Sequence, residues 1–419
     1  MTPTYRPTRS NSRVVDYTEV GPWKPGALRK LPVYETGRGR FRKEPGINLL
    51  LRSRPAGIDP SAHVLNYRWF RSEFRSAIIY QNSPMNAPTL HQPASDLARL
   101  LFSDGVIRDP AATMIPLSGG VSSEIYLVND GGRQFVVKRA LPQLKVDQEW
   151  FADISRNAHE AAYLSYIARF SPDNVPQLQY VSAEHGYFTM EYLGADWQNW
   201  KRTLLEGRSE PRIAQAVSSL LGKIHAHSAS DPEARERFQT LANFEQLRIE
   251  PYLLATARRH PRLKAVLEAE AARLRAERSV LTHGDFSPKN ILVSPQRVVV
   301  VDCECAWYGD AAFDIAFLLN HLFLKSAARP ATGIWRPMVE LIWSSYLAAR
   351  FAEAADVRRS ALERNVSGLL LMLMLARVDG KSPVEYLSES QRDRVRAFAV
   401  SGIEGRCVSL SGITQEWFT

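Results

Sequence analysis

One stretch constrains this chain more than any other: Leu281-Thr-His-Gly-Asp-Phe-Ser-Pro-Lys-Asn-Ile-Leu-Val293, followed by Val298-Val-Val-Val-Asp-Cys-Glu304. Short apolar runs alternate with a polar loop and a turn, so it reads as strand, loop, strand, turn, strand, ending on a carboxylate. The loop sets Asp285 five residues before Asn290, and Asp302 comes twelve residues after that Asn, behind four valines. A lone Asp or Asn in a loop is ordinarily a turn former. Here the whole string, with strands on both sides, supplies the parts of a phosphoryl-transfer site. Those parts are an acid that orients a hydroxyl nucleophile, and oxygen ligands that hold Mg²⁺ against phosphates. Asp285 is the candidate base or orienting group, and Asn290, Asp302 and Glu304 are the candidate metal ligands. His283 reads as a structural histidine bonded to the loop, and Gly284 frees the backbone to turn. Asp314 either starts the next helix and braces the loop or binds substrate.

Composition sets the bounds. A chain of 419 residues with 45% apolar and 23% charged residues has room for a large core or two lobes. No run of 18 or more apolar residues and no N-terminal apolar segment occurs, so neither a membrane span nor secretion is expected. Cys303 and Cys305 stand two apart beside a strand, unsuited to a mutual disulfide, and Cys407 is the third cysteine. Reduced packing cysteines and a cytoplasmic location fit. The net charge of +9 lies wholly in residues 1–84, which hold 15 Lys+Arg against 6 Asp+Glu. The body is therefore neutral and not a general polyanion binder.

Residues 1–84 show no sustained amphipathic period and read as a basic, disordered leader dispensable for catalysis. A nucleic-acid or membrane arm, and a start at Met85, are the other readings. Beyond it, a helix over 95–102 is expected, then strands at Thr113–Pro116, Glu124–Asn129 and Gln134–Lys138. Asn129-Asp-Gly-Gly132 is a hairpin turn. A helix follows over 155–170, with Ala158, Ala162, Leu164 and Ile167 as its apolar face. Strands at Leu178–Ser182 and Tyr187–Met190 are next. After Gly194 helices dominate, at about 196–206, 210–228, 234–240, 250–259, 261–277, 312–324 and from 335 onward. His225 reads as a core residue and His227 as a surface one.

Further candidates fall on these elements. Lys138, on the third strand, can reach the α- and β-phosphates of a nucleotide and pair with Glu160 on the next helix. In the loop Leu117–Ser123, Gly119, Gly120, Ser122 and Ser123 offer N–H and hydroxyl donors to phosphate oxygens. Trp307 and Tyr308 either stack on an acceptor or pack under the loop. Arg377, Asp379 and Lys381 either line the acceptor pocket or form an ordinary helix end.

His283-Gly-Asp285…Asn290 and Asp302-Cys-Glu304 resemble the two signature segments of the aminoglycoside phosphotransferase and choline kinase superfamily. The resemblance covers about residues 95–400. Val137–Val146 with Trp150, and Asp302–Gly309 with Phe313-Asp314, are similar to methylthioribose kinases in particular. Those lack the loop Asn that this chain keeps as Asn290. The resemblance implies an α+β, two-lobed protein-kinase-like fold. Its N-lobe, residues 85–194, would be a small five-stranded sheet with one helix, and its C-lobe, residues 195–410, mainly helical. It implies ATP and Mg²⁺, Asp285 as base, Asn290 and Asp302 on the metal, Glu304 as an extra ligand, and Lys138 on the phosphates. It also implies an adenine-binding hinge over Met190–Leu193, through backbone groups of Glu191 and Leu193. Only about ten residues separate Asp302 from the next helix, too few for a peptide platform, so a small-molecule hydroxyl acceptor is expected: a sugar, amino alcohol or related metabolite. The rival reading is a nucleotide-binding pseudokinase that regulates a partner; the intact set Lys138, Glu160, Asp285, Asn290 and Asp302 argues against it.

Overall fold

The computed structural model describes residues 92–117, 122–143, 153–208, 210–330, 333–351, 358–405 and 409–419. The leader, Gly119, Gly120, the 144–152 segment and Cys407 lie outside the described residues.

The fold is α+β and two-lobed, of the protein-kinase-like kind. Helix α1 (Gln92–Ser103) precedes a sheet of β1 (Thr113–Pro116), β2 (Ser123–Asp130), β3 (Arg133–Ala140), β4 (Leu178–Ser182) and β5 (Tyr187–Glu191). Its order is β1-β2-β3-β5-β4, antiparallel throughout. The β2–β3 hairpin closes on Gly131 and Gly132, with φ of 58° and 87°. Two consecutive positive-φ residues suit the twist of the flanking strands and favour glycine. Side chains alternate across β3. Phe135 and Val137 join Leu97, Leu101 and Val128 in a small core under α1. Lys138 consequently points to the other face, toward helix α2 (Arg156–Ala168).

The buried face of α2 differs from the expected one. Ala158 is exposed and Ala162 half-buried, while Arg156, Asn157 and Glu160 are buried beside Leu164 and Ile167. A search for apolar period misplaces the face because these polar side chains satisfy partners across the sheet and the loop. Asn157 Nδ2, for instance, donates to the Gly186 carbonyl at 2.9 Å.

The second lobe is helical: α3 (Trp200–Leu205), α4 (Pro211–Ser228), α5 (Pro232–Arg237), α6 (Leu241–Phe244), α7 (Ala255–Arg259), α8 (Lys264–Ala276), α9 (Ala311–Ala328), α10 (Trp335–Arg350), α11 (Arg358–Asp379), α12 (Glu389–Glu404) and α13 (Leu410–Phe418). Between α6 and α7 the chain forms a π-helix, Glu245–Leu254, with Pro251 inside it. The expected helix at 250–259 is therefore preceded by five residues of π-helix, from Glu245. A proline inside a helix ordinarily marks a boundary, and a wide π turn does not follow the 3.6-residue period. Helix α9 is long and apolar enough to cross a membrane, yet 94% of it is buried, which marks it as a core helix. The short strands β6 (Gln198–Asn199), β8 (Ile291–Val293) and β9 (Val298–Val300) form one ribbon, and β7 (Val280–Thr282) pairs with β10 (Trp307–Gly309). These two ribbons carry the loop singled out above.

Candidate active site

The loop after β7 is held from below by helix α9. Asp314, fully buried in its first turn, accepts from the His283 N–H at 2.7 Å and the Gly284 N–H at 2.9 Å. His225 Nε2 meets the same carboxylate at 3.3 Å, and His225 Nδ1 meets the Tyr346 hydroxyl at 2.8 Å. Asp314 thus braces the loop, and Asp310 rather than Asp314 caps the helix. His283 Nδ1 accepts from the Asp285 N–H at 3.2 Å, which leaves Nε2 to donate to the Val301 carbonyl at 3.2 Å. Burial pushes this imidazole down, so the neutral tautomer fits both bonds.

Gly284 has φ of +74°, and a Cβ there would lie 2.5 Å from the Cys305 carbonyl oxygen. Gly284→Ala is expected to cost at least about 1–3 kcal/mol from backbone strain alone, before the clash. Thermal unfolding checks this: a melting temperature equal to wild type would show that the loop is not held this tightly.

Asn290 Nδ2 donates to the Asp285 carbonyl at 3.0 Å, so the amide oxygen remains as an acceptor. Asp302 has φ of 65°, the only described non-glycine residue in the left-handed region. Asp tolerates that region better than most residues, but at a free-energy cost that usually accompanies function.

Across from the loop, Lys138 Nζ lies 2.7 Å from Glu160 and 2.6 Å from Asp302. This network joins β3, α2 and the segment after β9. Burial would push the Lys138 ammonium down; Asp302, Glu160 and Glu304 outweigh it and raise it well above the usual lysine range. Burial likewise raises the Glu160 carboxyl, against the pull of Lys138. Asp302 goes the other way: burial is outweighed by Lys138 and Lys289, which hold its carboxyl low. Its side chain is 28% exposed against 3% for Lys138, so Asp302 is the member that a ligand reaches.

Glu304 sits on Arg156, whose Nε donates to it at 2.9 Å. Arg156 is fully buried and also donates to the Ser122 and Asp153 carbonyls, at 2.6 and 2.8 Å. It ties the start of β2, helix α2 and the metal-candidate segment together. Ser122 and Ser123 are both buried, and Ser123 Oγ has no hydrogen-bond partner. Trp307 is buried and stacks on Phe244 at 5.0 Å, and Tyr308 is buried with its hydroxyl on backbone carbonyls, so both pack under the loop and the acceptor-stacking expectation for them fails. Arg377 and Asp379 are held by neighbours: Arg377 by Ser382, Asp379 by His260 and Arg396.

Two residues that sequence reading missed complete the site. Arg248, on the π-helix, lies 2.9 Å from Asp285 Oδ2, and Lys289 lies 3.0 Å from the same oxygen. Burial would raise the Asp285 carboxyl, but these two cations outweigh it and lower it. Both of these closest approaches are to Oδ2. Lys289 had a signal, its place four residues after Asp285; Arg248 had none.

Residues 113–336, more than half of the chain, match the model of the phosphotransferase enzyme family. The chain belongs to that family. It is a small-molecule kinase that transfers phosphate to a hydroxyl. Methylthioribose kinase of Geobacillus sp. (strain WCH70) is 25% identical over 281 residues, 59% of this chain and 69% of that protein. The Geobacillus kaustophilus (strain HTA426) methylthioribose kinase is 27% identical over 256 residues, 55% and 64% of the two chains. The alignments thus span about two thirds of these relatives. A solved choline kinase from Cryptosporidium parvum Iowa II superposes with a TM-score of 0.48 at 11% identity, covering 78% of this chain and 100% of that one.

Proposed function

We propose that this phosphotransferase moves the γ-phosphate of ATP, bound with Mg²⁺, to a hydroxyl of a small metabolite such as a sugar or amino alcohol. The observation that carries the reading is the network Glu160–Lys138–Asp302, set beside a loop that offers Asp285 and Asn290. Lys138 supplies positive charge for the nucleotide phosphates, with Glu160 keeping it in place. Ser123 Oγ, buried and unpartnered, is a donor suited to a phosphate oxygen. The backbone of Glu191 and Leu193, at the end of β5 and just beyond it, is the proposed adenine contact.

Asn290 and Asp302 offer hard oxygen donors that fit Mg²⁺. Such a pair suits a cation that binds through one or two carboxylates and completes its shell with phosphates and water. The metal would neutralise phosphate charge there. Glu304 is committed to Arg156 through Oε2, which makes it a secondary candidate.

In the transfer, the acceptor hydroxyl donates to Asp285, and its oxygen forms a bond to the γ-phosphorus. The bond from that phosphorus to the β–γ bridging oxygen breaks, ADP departs, and the hydroxyl proton ends on Asp285. A carboxylate held below its usual range is a weak base. Asp285 therefore acts mainly by orientation and takes the proton late, as a loose transition state permits.

ADP release measured across amino alcohols, pentoses, nucleosides and aminoglycosides tests the reading; no acceptor stimulating release above the wild-type background, with the Asp285→Asn protein as control, would sink it. Asp302→Ala is expected to abolish Mg²⁺-dependent ATP binding in calorimetry. Glu304→Ala should weaken it less. Total loss from Glu304→Ala with Asn290→Ala silent would move the metal to Glu304.

A further inference from the structure

The helical lobe holds a second concentration of charge that the transfer machinery does not use. Lys325, on the last turn of α9, is 1% exposed and has no carboxylate partner among the described residues. Its ammonium reaches the His321 carbonyl at 3.4 Å and lies 5.3 Å from the centre of the Tyr386 ring. Lys201 Nζ lies 5.7 Å from the same ring, and its own carboxylate partner is Glu385. Three polar atoms of the cluster are buried without a partner: His321 Nε2, the Tyr386 hydroxyl and Arg377 Nε.

The cluster is continuous with the catalytic loop. Arg377 Nη1 donates to the Tyr252 hydroxyl at 3.2 Å. The Tyr252 ring lies 5.7 Å from the guanidinium of Arg248, the residue that holds Asp285. The same guanidinium lies 5.6 Å from the Phe317 ring, which meets the His321 ring at 5.1 Å. Tyr252 and Phe317 therefore each lie against both Arg248 and the cluster.

An uncompensated buried cation is costly, and an apolar side chain of similar size would serve packing better. Burial pushes the Lys325 ammonium down to about 7, with Lys201 and Arg377 adding to the effect and Glu385 opposing it. Burial pushes the His321 imidazole well down, and Lys325, Arg377, Lys289 and Lys201 add to it. Costs of this kind persist where a ligand relieves them. We propose that Lys325, Lys201, His321, Arg377 and Tyr386 bind an anionic group of the acceptor, a phosphate or a carboxylate, so that the hydroxyl substrate of this kinase is an anion. The proposal rests on the kinase reading above. A quaternary amine or an aminoglycoside would bring like charge to Lys325, whereas an anion supplies its missing counter-ion and accepts from the unpartnered donors.

The test uses the full chain with ATP and Mg²⁺ and measures ADP release with matched acceptors: ribose against ribose 5-phosphate, glycerol against glycerate, ethanolamine against serine. Serine and glycerate against ribose 5-phosphate separates the carboxylate and phosphate sources. The expected result is kcat/KM at least tenfold higher for an anionic acceptor than for its uncharged or cationic counterpart. Lys325→Met should then raise the KM for that acceptor tenfold or more while the KM for ATP stays put. It should also raise the melting temperature, which a purely structural lysine would not do. Lys201→Met, at a more exposed position, should raise the acceptor KM in the same direction and decides the matter if Lys325→Met fails to fold. Preference for neutral or cationic acceptors, with KM unmoved by either variant, overturns this inference and leaves the kinase reading standing. Turnover of no hydroxyl compound of any charge overturns both.

Discussion

Asp285→Asn is expected to lower kcat by about 10²–10⁴-fold, the usual range for a lost general base, and to leave ATP affinity near wild type. The substitution keeps the shape of the side chain but only one oxygen, which Arg248 and Lys289 would hold, leaving the amide NH2 toward the hydroxyl. It removes the negative charge, the acceptor and the capacity to take a proton. Nucleotide binding should survive because Lys138 and Asp302 pair with each other rather than with Asp285. The measurement is steady-state kinetics at saturating acceptor, with folding checked by circular dichroism because Arg248 and Lys289 both lose their counter-charge. Turnover within threefold of wild type would remove Asp285 from the chemistry.

Features encoded by local spacing were the legible ones. The paired glycines at 131 and 132 place the hairpin, the alternation along β3 sends Lys138 to the face of α2, and the loop spacing lifts Asp285 and Asn290 out of the background. His225 was readable as a core residue, while Asp314 stayed open between bracing the loop and binding substrate until its backbone donors were seen. Besides Lys289, the residues that escaped are single cations on helices: Arg156, Arg248 and Lys325. Sequence periodicity treats a charged residue as a marker of the solvated face, and nothing nearby reveals that its partner comes from a distant segment. Arg156 finds Glu304 across 148 positions, whereas Lys325 has no ion-paired carboxylate among the described residues. The π-helix escaped for a related reason: Pro251 looks like a helix boundary, and ten residues of wide turn have no period that a 3.6-residue template recognises.

Arg248→Gln is expected to cost about 3–5 kcal/mol of stability, the penalty for removing one partner of a buried ion pair. Arg248 and Asp285 side chains are 8% and 6% exposed and meet at 2.9 Å. Lys289 remains on Asp285 at 3.0 Å, so the loss should lie toward the lower figure. The sign of the pH dependence follows from the lowered Asp285 carboxyl. Its contribution is fully present above the unfolded carboxylate value of about 3.9 and is lost as pH falls through the folded value. In Arg248→Gln the depression shrinks, so the gap between wild type and variant should be full at neutral pH and narrow below about pH 4. The double variant Arg248→Gln/Asp285→Asn should be more stable than the sum of the single effects by about 0.5–3 kcal/mol, because the second change removes the charge that the first left short of a partner. Urea unfolding of all four proteins at several pH values measures both quantities. Additive effects together with a gap that does not change with pH would mean that Arg248 serves to hold the π-helix and, with its Nε as donor, the Gly284 carbonyl, and that the charge on Asp285 is governed by Lys289 alone.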